Sequence, residues 1–439
     1  MRRPAQHEYA SKHNPPEGMV HVRARAIIVV ALAVSTLLGA CTSISSPGPE
    51  PSPLRSAPTA AGDGILRIGT LFPSTGSIAF IGPAQAAGVA LAVADLNTAG
   101  GVNGVPVEVL ARDSGDAAGS TLEASFAELV AGGADVVIGP STSVLSERII
   151  PLAAAARIPV ISPAATFPAL ASAQDAGLFF RTVASYDQQG LALGSVLAED
   201  GPRKVAFVYI DDDLGRSLAA TLAEGVQRNG GELVLDRAVD VATTDLTPLV
   251  AELTAAAADV VVIGSNYSSI DSTKGLISAV ISAGFSGAAV WLTTQNTGDY
   301  SQAFPNGTLA GVRGIIDGVE PDAAFVARLQ TVDPALTTFR YSTEAYDATI
   351  LAALAAVVAG DDSGLSIAAR LVDVSRGGIK CTSVGECLTA LKTLSDIDYD
   401  GSSGPVNFTP DGDVSPAKYG IYSYDGENRF VFERAVVAG

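Results

Sequence analysis

Three hydroxyl residues in a row, Ser141, Thr142 and Ser143, follow the apolar stretch "DVVIGP" and precede a segment of helical character. Where a strand ends and a helix begins, backbone N–H groups and hydroxyls point at one place, which suits a carboxylate or another acceptor. The plainer alternative is a helix cap with its turn residues. Phe80, beside Gly82, offers either an apolar wall for a ligand or ordinary core. In "DIDYDGSSGPVN", Asp396, Asp398, Asp400 and Gly401 have the spacing that opens a calcium loop. The twelfth position, which needs a bidentate acid, is Asn407, and a glycine-rich turn explains the same residues more simply.

Cys41 sits in "LLGACTSISS", after the apolar run Ile27–Ala40 and the basic residues Arg23 and Arg25. Basic, then apolar, then small is the order of an export signal. A membrane span needs about 20 apolar residues, and this run is shorter, so a cleaved segment is expected. Met1 and Met19 are the only methionines, and a start at Met19 gives the signal ordinary length. Leu38-Gly39-Ala40-Cys41 resembles the lipobox of bacterial lipoproteins, which implies cleavage before Cys41 and a diacylglyceryl group on its thiol. Residues 1–40 are then removed. Residues 41–64, rich in proline and small polar side chains, are expected to form an extended tether with no core of its own. One acyl anchor and a spacer describe a protein held at a membrane surface.

That cut decides several function classes. His7, His13 and His21 are the only histidines and all precede Cys41, so histidine triads, metal sites and acid–base relays are excluded from the remaining chain. The full chain has 27 Lys+Arg against 46 Asp+Glu. Losing five basic and two acidic residues leaves 22 against 44, a net charge of −22. So acidic a surface repels phosphate backbones, and no nucleic-acid partner is expected. Cys381 and Cys387 bracket the short loop "CTSVGEC" outside the reducing cytosol, where a local disulfide is expected.

From Ile65 the chain alternates strand-like and helix-like segments, among them the strands "ILRIGTLF", "DVVIG" and "KVAFVYI" and the helices Thr121–Ala131, Ser143–Ala156 and Gln188–Asp200. Alternation of this kind predicts α/β architecture, with mostly parallel sheets covered by helices on both faces. About 375 residues is too many for one such unit, so two lobes are expected. "ADVVIGPSTS" at 134–143 recurs as "ADVVVIGSNYS" at 258–268, one buried strand with a polar exit in each lobe. Ligands in open parallel sheets gather at the carboxyl ends of strands, so two such ends facing each other make a cleft.

"IGTLFPSTGSIAFIGPAQAAGVALAVADLNTAGGVNGVPVEVLARD", "VVIGPSTS" and "IPVISPAAT", followed later by "YSTEAYDATILAALAAVV" and "GSSGPVNFTPDGDVSPAKYGIYSY", resemble the type I periplasmic binding proteins, specifically the leucine/isoleucine/valine-binding group of ABC importers. The resemblance implies a two-lobed clamshell with three crossovers, with lobe 1 at 65–181 plus 313–399 and lobe 2 at 182–312 plus 400–436. It implies a binder and not an enzyme: a monomer that uses no cofactor, holds a small solute and passes it to membrane permease subunits. Ser143 would hold a ligand carboxylate, with backbone from Ala164 and Ala165 and a hydroxyl from Thr166. Tyr267 matches a family tyrosine. Leu214 stands where the family often places another tyrosine, and Gln295 stands where it places the acid that clamps an α-ammonium. An amide cannot neutralise a buried ammonium. The expected ligand therefore widens to an amino acid, amide, urea-like solute or small carboxylate, with Asp213 or its neighbours Asp211 and Asp212 able to restore the charge. A ligand-sensing lipoprotein would share this fold, and an exported hydrolase working with two carboxylates is the remaining alternative.

Overall fold

The structure is a computed structural model that describes residues 62–76, 78–201, 203–265, 270–318, 320–393 and 396–438. Cys41, the export signal and most of the expected tether lie outside the described residues.

Lobe 1 begins with β1 (Arg67–Phe72), α1 (Gly82–Thr98), β2 (Glu108–Asp113), α2 (Thr121–Ala131), β3 (Val136–Ile138), α3 (Ser143–Ala156), β4 (Val160–Ser162) and β5 (Phe179–Arg181). The strands form a five-stranded sheet in the order β2-β1-β3-β4-β5, parallel throughout. Strands such as "VVI" and "VIS" are buried at every position because helices cover both faces.

Lobe 2 repeats the winding with α4 (Gln188–Leu197), β6 (Lys204–Ile210), α5 (Asp213–Arg228), β7 (Glu232–Val239), α6 (Thr247–Ala256), β8 (Val260–Gly264), α7 (Ile270–Ser282), β9 (Val290–Leu292) and β10 (Arg313–Asp317). Its parallel part runs β7-β6-β8-β9-β10, the same path as in lobe 1, so β8 occupies the place of β3. The echoed segments at 134–143 and 258–268 thus start from structurally equivalent strands. In lobe 2, α4 and α5 approach closely because they meet at glycines: a Cβ at Gly190 would strike Thr221 and Leu222, and one at Gly194 the backbone of Gly225.

The chain then returns to lobe 1 with α8 (Ala323–Val332), α9 (Ser342–Ala359), α10 (Gly364–Val374), β11 (Ile379–Cys381), α11 (Val384–Leu391), β12 (Ile397–Gly401) and β13 (Gly404–Pro405). It ends in lobe 2 with β14 (Ala417–Tyr424) and β15 (Phe430–Ala438), antiparallel additions beside β10. Helix α9, polar in its first two turns and apolar on all sides from Ile350 on, is buried from Ser342 to Ala356, a central rod against α1 and α10. A disulfide joins Cys381 to Cys387, Cα atoms 5.2 Å apart, and ties β11 to α11.

Sheet membership moves two expected boundaries. Arg313–Asp317 was expected to open the second part of lobe 1, but β10 is hydrogen-bonded between β9 and β14, so the second crossover follows Asp317. Residues 400–416, expected in lobe 2, stay with the small sheet β11-β12-β13 and its following loop until β14. The apolar pattern of "RGIID" marks a buried strand without showing which sheet receives it.

The three crossovers meet around α9. Asp347, fully buried, accepts hydrogen bonds from Tyr399 Oη (2.8 Å), Ser402 N (2.9 Å), Ser403 N (2.6 Å) and Ser403 Oγ (2.5 Å), which ties the β12–β13 turn, on the approach to the third crossover, to α9. Thr182 Oγ1 of the first crossover donates to Glu344 O at 2.9 Å. Gly318 of the second turns with φ +79°, and a Cβ there would lie 2.7 Å from Glu344 Oε1. Glycine is required by both the backbone angle and the close approach. One cluster of buried apolar side chains runs from lobe 1 through this hinge into lobe 2, while separate clusters fill the outer face of each sheet.

Candidate functional site

The carboxyl ends of β3 and β4 build the lobe 1 wall. Ser141, the first hydroxyl after β3, is buried and hydrogen-bonded to Gln85 Oε1 of α1, so it locks the turn to the helix. Thr142 caps α3, its Oγ1 accepting Leu145 N at 3.3 Å. Ser143 Oγ accepts the N–H groups of both Thr166 and Phe167 at 3.0 Å. With its acceptor side occupied, the Ser143 hydroxyl keeps one proton to donate, the polarity a carboxylate or carbonyl ligand requires. After β4, Ser162 Oγ donates to Pro140 O at 2.6 Å and accepts Ala165 N at 3.1 Å. Ala164, Ala165 and Thr166 are therefore held in a buried turn beside Ser143.

A fully buried guanidinium sets that turn from below. Arg181, at the end of β5, donates to the carbonyls of Ala165 (3.2 Å) and Phe167 (2.8 Å). It also pairs with both oxygens of Asp413 at 2.6 and 2.7 Å. The Asp413 carboxylate thus supplies the countercharge, while the guanidinium satisfies the Ala165 carbonyl and adds a second donor to the Phe167 carbonyl, which also accepts Leu170 N at 3.2 Å.

Across from this wall stands the N-terminus of α5. A cleft of about 530 Å³ lies next to that wall, with Phe167, Pro168 and Glu147 on one side and Asp212, Asp213, Leu214 and Ser217 on the other; Ser143 and residues 164–166 are buried behind Phe167 and do not line it. That volume falls within the usual range of small-molecule sites. Asp212 caps α5, accepting Gly215 N at 2.7 Å. Arg216 pairs with both Asp211 and Asp213. The run of three aspartates is thus a cap flanked by two ion-paired acids. Leu214 is half-buried against the central cluster.

Other expected residues scatter. Phe80 is 66% exposed on a short turn before α1, which rules out ordinary core and leaves its ring available to solvent or ligand. Gln295 lies half-buried just after β9. Its neighbour Asn296 is structural, accepting Thr293 N at 2.7 Å and donating to Ile263 O at 2.8 Å. Tyr267 lies outside the described residues. Asp398 and Asp400, considered for calcium, sit on β12 and pair with Lys380 Nζ at 3.1 and 2.9 Å, an extended strand in place of a loop. Among the described residues no group of three or more His, Cys, Asp or Glu could hold a metal.

Sequence reasoning missed Ser162, Gln85 and the Arg181–Asp413 pair. Arg181 and Asp413 are 232 residues apart, and no spacing rule joins them. The nearest available signal was an arginine in the otherwise apolar segment "LFFRTV".

Two doubly wound lobes, three crossovers and a cleft at the strand ends define a bilobal solute-binding fold. Residues 65–425 match the family model described as periplasmic binding protein, and the chain belongs to that family. It is 26% identical over 358 residues to the chemotactic signal transduction system substrate-binding protein BasB of Halobacterium salinarum, covering 78% of this chain and 83% of that one. It is 27% identical over 204 residues to the leucine-, isoleucine-, valine-, threonine- and alanine-binding protein of Pseudomonas aeruginosa, covering 46% of this chain and 54% of that one. Among solved structures, the branched-chain amino acid transporter substrate-binding protein LivJ of Streptococcus pneumoniae, in complex with isoleucine, aligns with TM-score 0.59 at 22% identity, over 85% of this chain and 99% of that one. A solute-binding protein of an ABC transporter from Rhodopseudomonas palustris, in complex with p-hydroxybenzoic acid, aligns with TM-score 0.59 at 18% identity, over 85% and 97%.

Proposed function

We propose that this protein is the solute-capturing lipoprotein of an ABC importer, anchored through Cys41 to the outer face of the membrane, that closes its two lobes on a small polar solute and presents it to permease subunits. The observation that carries this reading is the Ser143 hydroxyl, which accepts two backbone N–H groups and keeps its proton for a ligand, at the helix start beside the buried turn 164–166. The solute is an amino acid, amide, urea-like molecule or small carboxylate, caught first on this wall. Closure brings the α5 terminus, Gln295 and Tyr267 against it, and the contacts made only in the closed form shift the population. The names of relatives support both amino acids and aromatic carboxylates as precedents. The resemblance to a chemotactic substrate-binding protein favours a second reading, in which the closed form signals to a membrane partner without transport.

A thermal-shift screen against amino acids, amides, ureas and short carboxylates identifies the solute, because a ligand that binds only the folded state raises Tm by mass action. Ser143→Ala with Thr166→Ala is expected to abolish that shift, read against the variant's own empty Tm, which falls because the Thr166 and Phe167 N–H groups lose their shared acceptor. An undiminished shift in the double variant would sink the site.

A further inference from the structure

On the flank of the hinge, where the second crossover leaves the sheet, a cavity of about 90 Å³ opens beside Asp317, Glu320 and Glu344, with Tyr341 and Tyr422 as aromatic walls and Arg340 as the one basic residue lining it. It is distinct from the space between Phe167 and Leu214. Asp317 is 2% exposed; its Oδ2 accepts the Tyr341 hydroxyl at 3.4 Å, while Oδ1 is buried without a hydrogen-bond partner among the described residues. A buried carboxylate oxygen with no donor is costly, and native structures seldom leave one so unless something else supplies the donor. Glu344 is 1% exposed, and burial pushes its carboxyl up to about 8, with the charges of Asp347 and Asp317 adding to the effect. With Glu344 held neutral, Asp317 and Glu320 still outnumber the one base, Arg340, whose guanidinium stacks on the Tyr341 ring at 4.9 Å; acids beside the Tyr422 ring suit an organic cation better than a hydrated metal.

We propose that this hinge pocket binds an alkylammonium group, with the orphaned Oδ1 of Asp317 as its principal acceptor. The placement gives the absent acid at position 295 a physical replacement. Asp317 N donates to Thr294 Oγ1 at 2.9 Å, so Asp317 stands one strand away from Gln295. The group is either the cationic end of the solute held in the cleft, which rests on the function proposed above, or a free small amine. The pocket holds only a few heavy atoms, which admits an ammonium and its first methylenes.

Ethylammonium chloride is the probe, with sodium chloride at equal ionic strength as the reference, in thermal-shift and calorimetric titrations of the full chain. Ethylammonium is expected to raise Tm in the wild type and in the Ser143→Ala, Thr166→Ala variant alike. Asp317→Asn is expected to weaken it about tenfold or more, since a charge-assisted hydrogen bond is lost. Glu320→Gln, at an exposed rim position that folding does not need, is expected to weaken it about two- to fivefold. A series of ω-aminocarboxylates then separates the sources. If one molecule spans both sites, some chain length binds more tightly than its amine-free carboxylate, competes with ethylammonium, and is weakened by either variant. If the cation is a free amine, no chain length does so, and ethylammonium still binds. No ethylammonium shift in the wild type, or the same shift in Asp317→Asn, or in Glu320→Gln should the former not fold, overturns the pocket while leaving the cleft reading untouched.

Discussion

Arg181→Met tests whether the ligand wall is held by a distant ion pair. Methionine keeps the length and removes the guanidinium, leaving the carboxylate of Asp413 and the carbonyl of Ala165 without their donors, while the Phe167 carbonyl keeps Leu170 N. Arg181 is fully buried and the Asp413 side chain is 12% exposed, so water cannot easily take its place. Breaking a buried pair from one side typically costs about 3–5 kcal/mol, mostly through the charge left behind. The orphaned Ala165 carbonyl adds about 1–3 kcal/mol, less whatever the turn recovers by relaxing. A loss of about 4 kcal/mol in urea denaturation is the expected centre, a large share of the total for a folded domain. The double variant Arg181→Met, Asp413→Leu removes both charges and is expected to regain most of that loss. Hydrogen exchange reads the turn without a ligand: the amides of Thr166 and Phe167, bound to Ser143 Oγ, are expected to exchange faster in both variants. A single variant that loses under about 1 kcal/mol, the range of an exposed pair, refutes the claim that the pair is buried and structural. Unchanged exchange at 166 and 167 refutes its role in positioning the turn.

Two further outcomes follow from burial and from the sequence. Glu344 is held neutral in the folded hinge, its carboxyl pushed up to about 8 by burial, against an ordinary value of 4.5. Its contribution to stability is full below the ordinary value and is lost as pH rises through 8, so wild type is expected to fall by several kcal/mol relative to Glu344→Gln between about pH 5 and pH 8. A difference that stays flat across that window means the carboxyl is not buried as described. Replacing Cys41 with serine is expected to release the protein from the membrane fraction with its ligand-induced Tm shift unchanged, and retention of the variant in membranes would contradict lipid anchoring.

Much of the fold was legible because its local signals agree. Strands such as "KVAFVYI" and "DVVIG" carry unbroken apolar runs, helices carry alanine and leucine, and glycines mark the ends, so element type could be read segment by segment. Helix α3 runs over the span the sequence predicts, Ser143–Ala156, because a capping threonine precedes it. The echo of β3 in β8 survives as equivalent places in two sheets, since each must fill the same slot between covering helices. The cleft was legible only in part: Ser143 and Thr166 could be placed, but not the fact that Ser143 Oγ already accepts two N–H groups.

The sequence by itself determined the α/β class, the two lobes, the absence of histidine beyond residue 21 and the polar exits of the central strands, all of which rest on composition and short-range pattern. Tertiary structure alone decided that β10 belongs to lobe 2, that the three aspartates at 211–213 cap and pair within their own turn, and that Asp413 reaches Arg181. It also decided that Asp317 keeps one buried oxygen without a donor among the described residues. These depend on which residues meet across the hinge, and long-range pairing leaves no periodic trace in the chain because each partner's local neighbours are satisfied whether or not the other arrives.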